Sequence, residues 1–205
     1  GFSIVKWAGY NTSGTTVAHG LGKKPDLMIT KNITTTASWP VFYKDAITTS
    51  DTTFTLPAST NYWLGLNDTW AYTAFTLDQQ FGGQSGGTVS DQMISYCWTS
   101  IPGYSLIGSY TGTGSATETP IIYTGFEPAW LMVKRTDSTG AWNINDNKRN
   151  TSNPRNSILQ ANVADQEYTN TAYNINFYND GFQINNNHGD WNASGGEYLF
   201  MCFAS

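Results

Sequence analysis

The sequence predicts an all-β protein: two tandem, closely packed β-sandwich-like repeats forming one two-lobed unit, with copies at 1–102 and 103–205. Three observations carry that expectation. The motifs of the first half recur in the second in the same order. Short β-branched and aromatic runs alternate throughout with glycine- and proline-marked turns. No stretch sustains the helical period; the best helical candidate, Ser157 to Val163, is short.

The repeat is visible residue by residue. Gly1-Phe2-Ser3-Ile4-Val5 opens the first copy and Gly103-Tyr104-Ser105-Leu106-Ile107 the second. A small-residue turn follows, Gly9-Tyr10-Asn11 in one copy and Gly112-Thr113-Gly114 in the other. A proline then launches an apolar run that ends in lysine: Pro25 to Lys31, and Pro128 to Lys134. Trp39 and Trp142 come next at matched spacing. Each copy closes on an aromatic-rich run around the only cysteines, Cys97 and Cys202. Ordered self-similarity over a fixed period marks a repeat architecture.

Strands are expected at Phe2–Trp7, Thr16–His19, Leu27–Ile33, Trp39–Lys44, Trp70–Leu77 and Gln92–Trp98. Pro40 pushes the fourth of these toward a sheet edge, because proline cannot donate to a ladder. Copy two repeats the pattern at Tyr104–Tyr110, Pro120–Thr124, Trp130–Arg135, Trp142–Asn145, Asn174–Tyr178, Phe182–Asn185 and Glu197–Phe203. About seven short strands per copy, with frequent turn signals, is sandwich spacing. No Pro/Ser/Gly linker precedes Gly103, so the copies are expected to pack closely and even to share sheets.

Charged residues are only 12% of the chain and aromatics 15%. The net charge of −5 and the dispersed basic residues disfavour nucleic acid and anionic membranes as partners. No apolar run reaches the ~18 residues of a membrane span. No signal peptide opens the chain, and Gly1 reads as a cut within something longer. The two cysteines have two readings, a disulfide joining the copies or a small buried hydrophobe on a core strand of each. Their apolar, aromatic surroundings favour the second.

Evidence for an enzyme is weak. His19 and His188 are the only histidines, and neither has a nucleophile or a metal-ligand spacing around it. The Gly82–Gly87 segment lacks the lysine of a phosphate-cradling loop. Paired carboxylates could serve a glycosidase, but Asp137, Asp146, Asp165, Glu167, Asp180 and Asp190 all sit beside turn formers. No catalytic residue, metal or cofactor is expected. Asn-x-Ser/Thr triplets occur at Asn11, Asn32, Asn67, Asn150 and Asn192, as the abundance of Asn and Thr alone would produce.

Aromatics set among amides and hydroxyls are the better signal. A flat ring stacks on the C–H face of a sugar while Asn, Asp and Gln bond its hydroxyls. Asn61 to Trp70 and Asn187 to Asn192 have that composition. The competing role for these rings is to plug the core beneath loops. The repeat sorts the tryptophans: Trp39 and Trp142 match and are assigned to the shared fold, whereas Trp63, Trp70 and Trp191 have no counterpart. The candidate ligand-binding residues are therefore Tyr62, Trp63, Trp70, His188, Asp190 and Trp191.

The repeat motifs resemble a domain family that recurs, often in tandem, in tail-fibre and other tail proteins of tailed bacteriophages, marine ones above all. The resemblance runs through Gly1–Val5, His19–Pro25 and Tyr96–Trp98. In copy two it takes in Gly103–Ser105, the run from Tyr123 to Asp137, and Asn192–Tyr198. It implies a virion, extracellular setting, a role in host contact or fibre architecture, and a homotrimer. Copy one departs from the pattern at Trp39–Phe42 and from Thr48 to Trp63. Three readings follow. The first is a receptor-binding module touching a host cell-surface glycan or an outer-membrane protein, without membrane insertion. The second is a structural or trimerisation piece, and the third, least favoured, a glycan-cleaving enzyme.

Overall fold

The computed structural model describes residues 1–8, 16–36, 39–44, 53–56, 61–63, 74–76 and 91–205, with the backbone alone at 40, 53–56, 61–63 and 74–76. Nearly all regular structure is antiparallel strand, and the chain divides into two compact units, Gly1–Thr99 and Ser100–Ser205.

The first unit contains β1 (Phe2–Ala8), β2 (Thr16–Ala18), β3 (Leu27–Asn32), β4 (Trp39–Tyr43), β5 (Thr53–Leu56), β6 (Asn61–Trp63), β7 (Ala74–Thr76) and β8 (Gln92–Trp98). Six form a sheet in the order β1-β8-β3-β4-β5-β6, and β2 pairs with β7. Strict alternation along β8 sends Met93, Ser95 and Cys97 inward. Met93 and Cys97 meet Trp7, Val17, Met28 and Phe42 in one core cluster. The polar residue on that face is satisfied: Trp7 Nε1 donates to Ser95 Oγ at 2.9 Å, and Ser95 Oγ lies 2.8 Å from Thr30 Oγ1.

Pro40 was expected at an edge, but β4 is an interior strand that pairs with both β3 and β5. The β3 ladder ends at Val41, one residue short of Pro40, so the missing N–H removes no bond on that side.

The second unit contains β9 (Ser105–Thr111), β10 (Ile121–Tyr123), β11 (Pro128–Arg135), β12 (Trp142–Asp146), β13 (Ser157–Gln160), β14 (Tyr168–Thr169), β15 (Ile175–Tyr178), β16 (Gly181–Ile184) and β17 (Glu197–Ala204). A 3-10 turn covers Thr171–Tyr173, and a one-turn helix, α1, covers Gly189–Asn192. The large sheet runs β14-β13-β12-β11-β17-β9, and a three-stranded sheet runs β10-β16-β15. The two sheets share a core. Leu131, Val133, Phe200 and Cys202 from the large sheet cluster with Ile175, Phe177, Phe182 and Ile184 from the small one. Phe182 meets Phe200 edge to face at 5.2 Å. Each such side chain, once buried, contributes about 1.5–3 kcal/mol.

Both large sheets follow one plan. Read from β1 and from β9, the order is opening strand, closing strand, then the proline-led strand and its partner. The register matches as well: Met28 faces Cys97 and Phe42, as Leu131 faces Cys202 and Asn145. The helical candidate Ser157–Val163 proves to hold strand β13, paired with β12 and β14. Both cysteines are free, buried thiols.

Candidate functional site

The structure brings together three of the six sequence-derived site residues. Tyr62 and Trp63 lie on β6, where Trp63 pairs with Thr53, but their side chains are outside the described residues, as is Trp70 altogether. His188, Asp190 and Trp191 converge on α1.

There each has an internal task. His188 is the N-cap: its Nδ1 accepts from Asp190 N at 3.2 Å, and its own N–H donates to Asn186 Oδ1 at 2.9 Å. Its ring packs against Tyr173 with centroids 4.4 Å apart. Asp190 is half-buried beside Gly140, where an added Cβ would come within 3.1 Å of Asp190 Oδ1. Its carboxylate favours the charged form of Lys134, a fully buried lysine whose Nζ donates to Gly140 O at 2.9 Å. Burial nonetheless lowers the Lys134 amine to about 8. Arg135 grips Asp137 through two bonds of 2.8 and 3.1 Å and reaches Gly189 O at 3.3 Å. The Arg135 guanidinium holds the Asp137 carboxyl below its ordinary value.

Trp191 corrects the sequence reading. Its exposure is 0%, and it belongs to the core cluster of the second unit. A ring with no exposed surface offers no face to a sugar, so Trp191 is the core plug and not the stacking platform. Asn192 beside it is fully buried and acts as a fastener. Its Oδ1 accepts from Thr113 N at 2.6 Å and Gly114 N at 3.3 Å, while its Nδ2 donates to Ser115 O and Asn186 O at 2.9 and 2.7 Å. Asn192→Ala would strand these groups and is expected to cost about 2–4 kcal/mol, read by urea denaturation; Asn192→Asp keeps the acceptor but turns a second oxygen onto the Ser115 and Asn186 carbonyls, and should destabilise as well.

Exposed aromatic surface occurs elsewhere in this unit, on the outer face of the small sheet. Strand alternation points Ile122, Phe182 and Phe177 inward as one register row. The flanking rows face out: Tyr123–Gly181–Tyr178 and Ile121–Gln183–Asn176. Tyr123 is 72% exposed, Ile121 53% and Tyr178 41%. Gly181 separates the two tyrosines without a side chain of its own. A Cβ there would fall 2.1 Å from Ile122 O, so β10 can approach only a glycine. Two strand spacings set the tyrosine backbones about 10 Å apart, roughly the span of a disaccharide. Tyr178 is held in place, its hydroxyl donating to Gln183 Oε1 at 2.8 Å and accepting from Asn176 Nδ2 at 3.2 Å. Gln183 Nε2 donates in turn to Thr119 Oγ1 at 2.8 Å. The face thus presents two exposed phenol rings, that of Tyr178 held by hydrogen bonds, with amides and a hydroxyl and no charged side chain in either row.

The profile of the family described as a domain of unknown function, DUF7483, matches residues 1–205. The chain belongs to the DUF7483 family. No curated protein and no solved structure matches it. One DUF7483 profile spans both copies, so the family's unit is the tandem pair. Among the described residues of this DUF7483 chain, no group of three or more His, Cys, Asp or Glu side chains could hold a metal ion.

The tyrosine face lies on strands, outside the polar, glycine-marked segments whose composition suggests a sugar site. The available signal was alternation in Ile121-Ile122-Tyr123, a short strand that is apolar on both faces and entered from a polar stretch.

Proposed function

We propose that this chain is a non-enzymatic carbohydrate-recognition module that binds an uncharged host-surface glycan on the outer face of β10, β16 and β15. The observation that carries the reading is the row Tyr123–Gly181–Tyr178, two exposed rings flanking a glycine gap above an anchored amide network. Rings stack on sugar C–H faces, and the amides of Asn176 and Gln183 select hydroxyl positions. The resemblance of the repeat motifs to phage tail-fibre domains supports a virion setting and host attachment as the use of that binding.

The test is a glycan array with the isolated chain, followed by calorimetry on the best neutral oligosaccharide. Tyr123→Ala is expected to weaken binding at least tenfold, equivalent to about 1.4 kcal/mol, with an unchanged melting temperature. Tyr178→Phe removes only the hydroxyl bonds and should weaken it less. Wild-type affinity and wild-type host-cell adsorption in the Tyr123→Ala/Tyr178→Ala double variant would sink the site.

A second reading, an assembly or trimerisation piece, is favoured by one observation. Phe2 and Ile4 are exposed on β1, a strand at the end of its sheet. Sedimentation at graded concentrations decides it: a trimer dissociated by Ile4→Lys, with no saccharide bound, replaces the recognition reading.

A further inference from the structure

Lys31 and Lys134 occupy the same place in the two copies, each closing the apolar run that follows a proline. Trp39 and Trp142 occupy the matched place on the neighbouring strand, and the β3–β4 and β11–β12 registers agree. The same Lys–Trp pair therefore exists twice, in opposite surroundings.

In copy two the pair is closed. Lys134 and Trp142 are paired across the ladder and fully buried. The amine is served from within the chain, by the Gly140 carbonyl at 2.9 Å and the nearby Asp190 carboxylate. In copy one the pair is open. Lys31 Nζ sits 4.4 Å above the Trp39 ring centroid, and both side chains are half-buried. They line an open groove of about 400 Å³ with Asn32, Thr34, Thr35 and Thr36. Among the described residues no carboxylate lies within ion-pair distance of Lys31.

The groove wall is rigidly built. Asn32 is buried; its Oδ1 accepts from Thr34 N at 2.9 Å and Thr35 N at 3.0 Å, and its Nδ2 donates to Asp91 Oδ2 at 3.1 Å. Gln92 N donates to Thr34 Oγ1 at 2.8 Å. Thr35 and Thr36 remain exposed at the rim.

We infer that this groove binds a carboxylate-bearing saccharide, the ligand supplying to Lys31 the acceptor and negative charge that Gly140 and Asp190 supply to Lys134. The half-buried ring of Trp39 and the hydroxyls of Thr35 and Thr36 suit a sugar, and the ammonium poised on the ring suits its carboxylate. A cavity of this size holds one or two sugar residues. The site shares no residue with the tyrosine face of the second unit and differs from it in chemistry, one taking an acidic sugar and the other a neutral one.

The experiment is calorimetry of the full chain with a hexuronate trisaccharide, its neutral hexose counterpart, acetate and a short poly-glutamate peptide. The acidic trisaccharide is expected to bind at least tenfold tighter than the neutral one, and more weakly as salt is raised. Lys31→Met should abolish that preference, Lys31→Arg should keep it, and Trp39→Leu should weaken binding by tenfold or more. Lys31→Gln replaces Lys31→Met should the latter fail to fold by circular dichroism. Tyr123→Ala should leave acidic-sugar binding unchanged while weakening neutral-glycan binding at least tenfold, so failure of one site is distinguishable from failure of the other. Equal binding of the acidic and neutral trisaccharides, wild-type affinity in Lys31→Met or Lys31→Gln, loss of acidic-sugar binding in Tyr123→Ala, or tighter binding of the peptide or acetate would each overturn the inference.

Discussion

Replacing Trp191 with alanine is expected to destabilise the protein by about 3–5 kcal/mol, the range for deleting a fully buried large aromatic. The ring has no exposed area and belongs to the cluster that joins the two sheets of the second unit. Its backbone is held as well: Trp191 O accepts from Tyr110 Oη at 2.8 Å, and Trp191 N donates to His188 O at 2.9 Å. Trp191→Phe should cost much less. It leaves a smaller void, and it removes an indole N–H that is buried without a hydrogen-bond partner among the described residues. Urea denaturation followed by tryptophan fluorescence and far-ultraviolet dichroism reads both variants. A Trp191→Ala protein that unfolds at the wild-type midpoint would remove Trp191 from the core, and with it the argument that the stacking surface lies on the small sheet.

The contrast between Trp191 and Tyr123 shows which parts of the molecule the sequence made legible. The repeat was readable because ladder register is written directly into spacing. Cys97 and Cys202 face Met28 and Leu131 in the same way, so the two motifs must recur at matched distances. A four-residue helix has no period to detect, and α1 is fixed by contacts remote in sequence, such as Arg135 to Gly189 and Tyr198 Oη to Gly189 O. The loop carrying Trp191 therefore looked exposed. Whether the copies share a tryptophan does not fix its burial, for a related reason. Shared register fixes the backbone position of Trp39 and Trp142, but what covers each ring depends on the loops around it. Trp142 is buried, whereas Trp39 lines a groove.

Alkaline pH is expected to destabilise the protein steeply above about pH 9, and the buried thiols are the largest cause. Burial pushes both Cys97 and Cys202 from 9.0 up to about 12. The folded chain thus keeps two protons that the unfolded chain releases from pH 9 upward, so stability present below pH 9 is lost as pH rises toward 12. Each thiol accounts for about 4 kcal/mol over that whole range and about 2 kcal/mol by pH 10.5. Burial also raises Tyr110, Tyr168 and Tyr198, which add losses above pH 10. Lys134 acts in the opposite sense. Its amine is lowered from 10.5 to about 8, so the folded chain gives up this proton first and stability rises with pH between those values. Among the described residues, the Lys134 shift is the one that acts between pH 8 and 9, and above 9 two thiols outweigh one amine. The expected profile is a shallow maximum near pH 9 followed by a fall. Urea denaturation at pH 7.5, 9 and 10.5 measures it. Cys97→Ala/Cys202→Ala should reduce the loss between pH 9 and 10.5 by about 4 kcal/mol, and Lys134→Met should remove the rise from 8 to 9. An unaltered pH profile in the double cysteine variant would show that the thiols do not carry the alkaline transition.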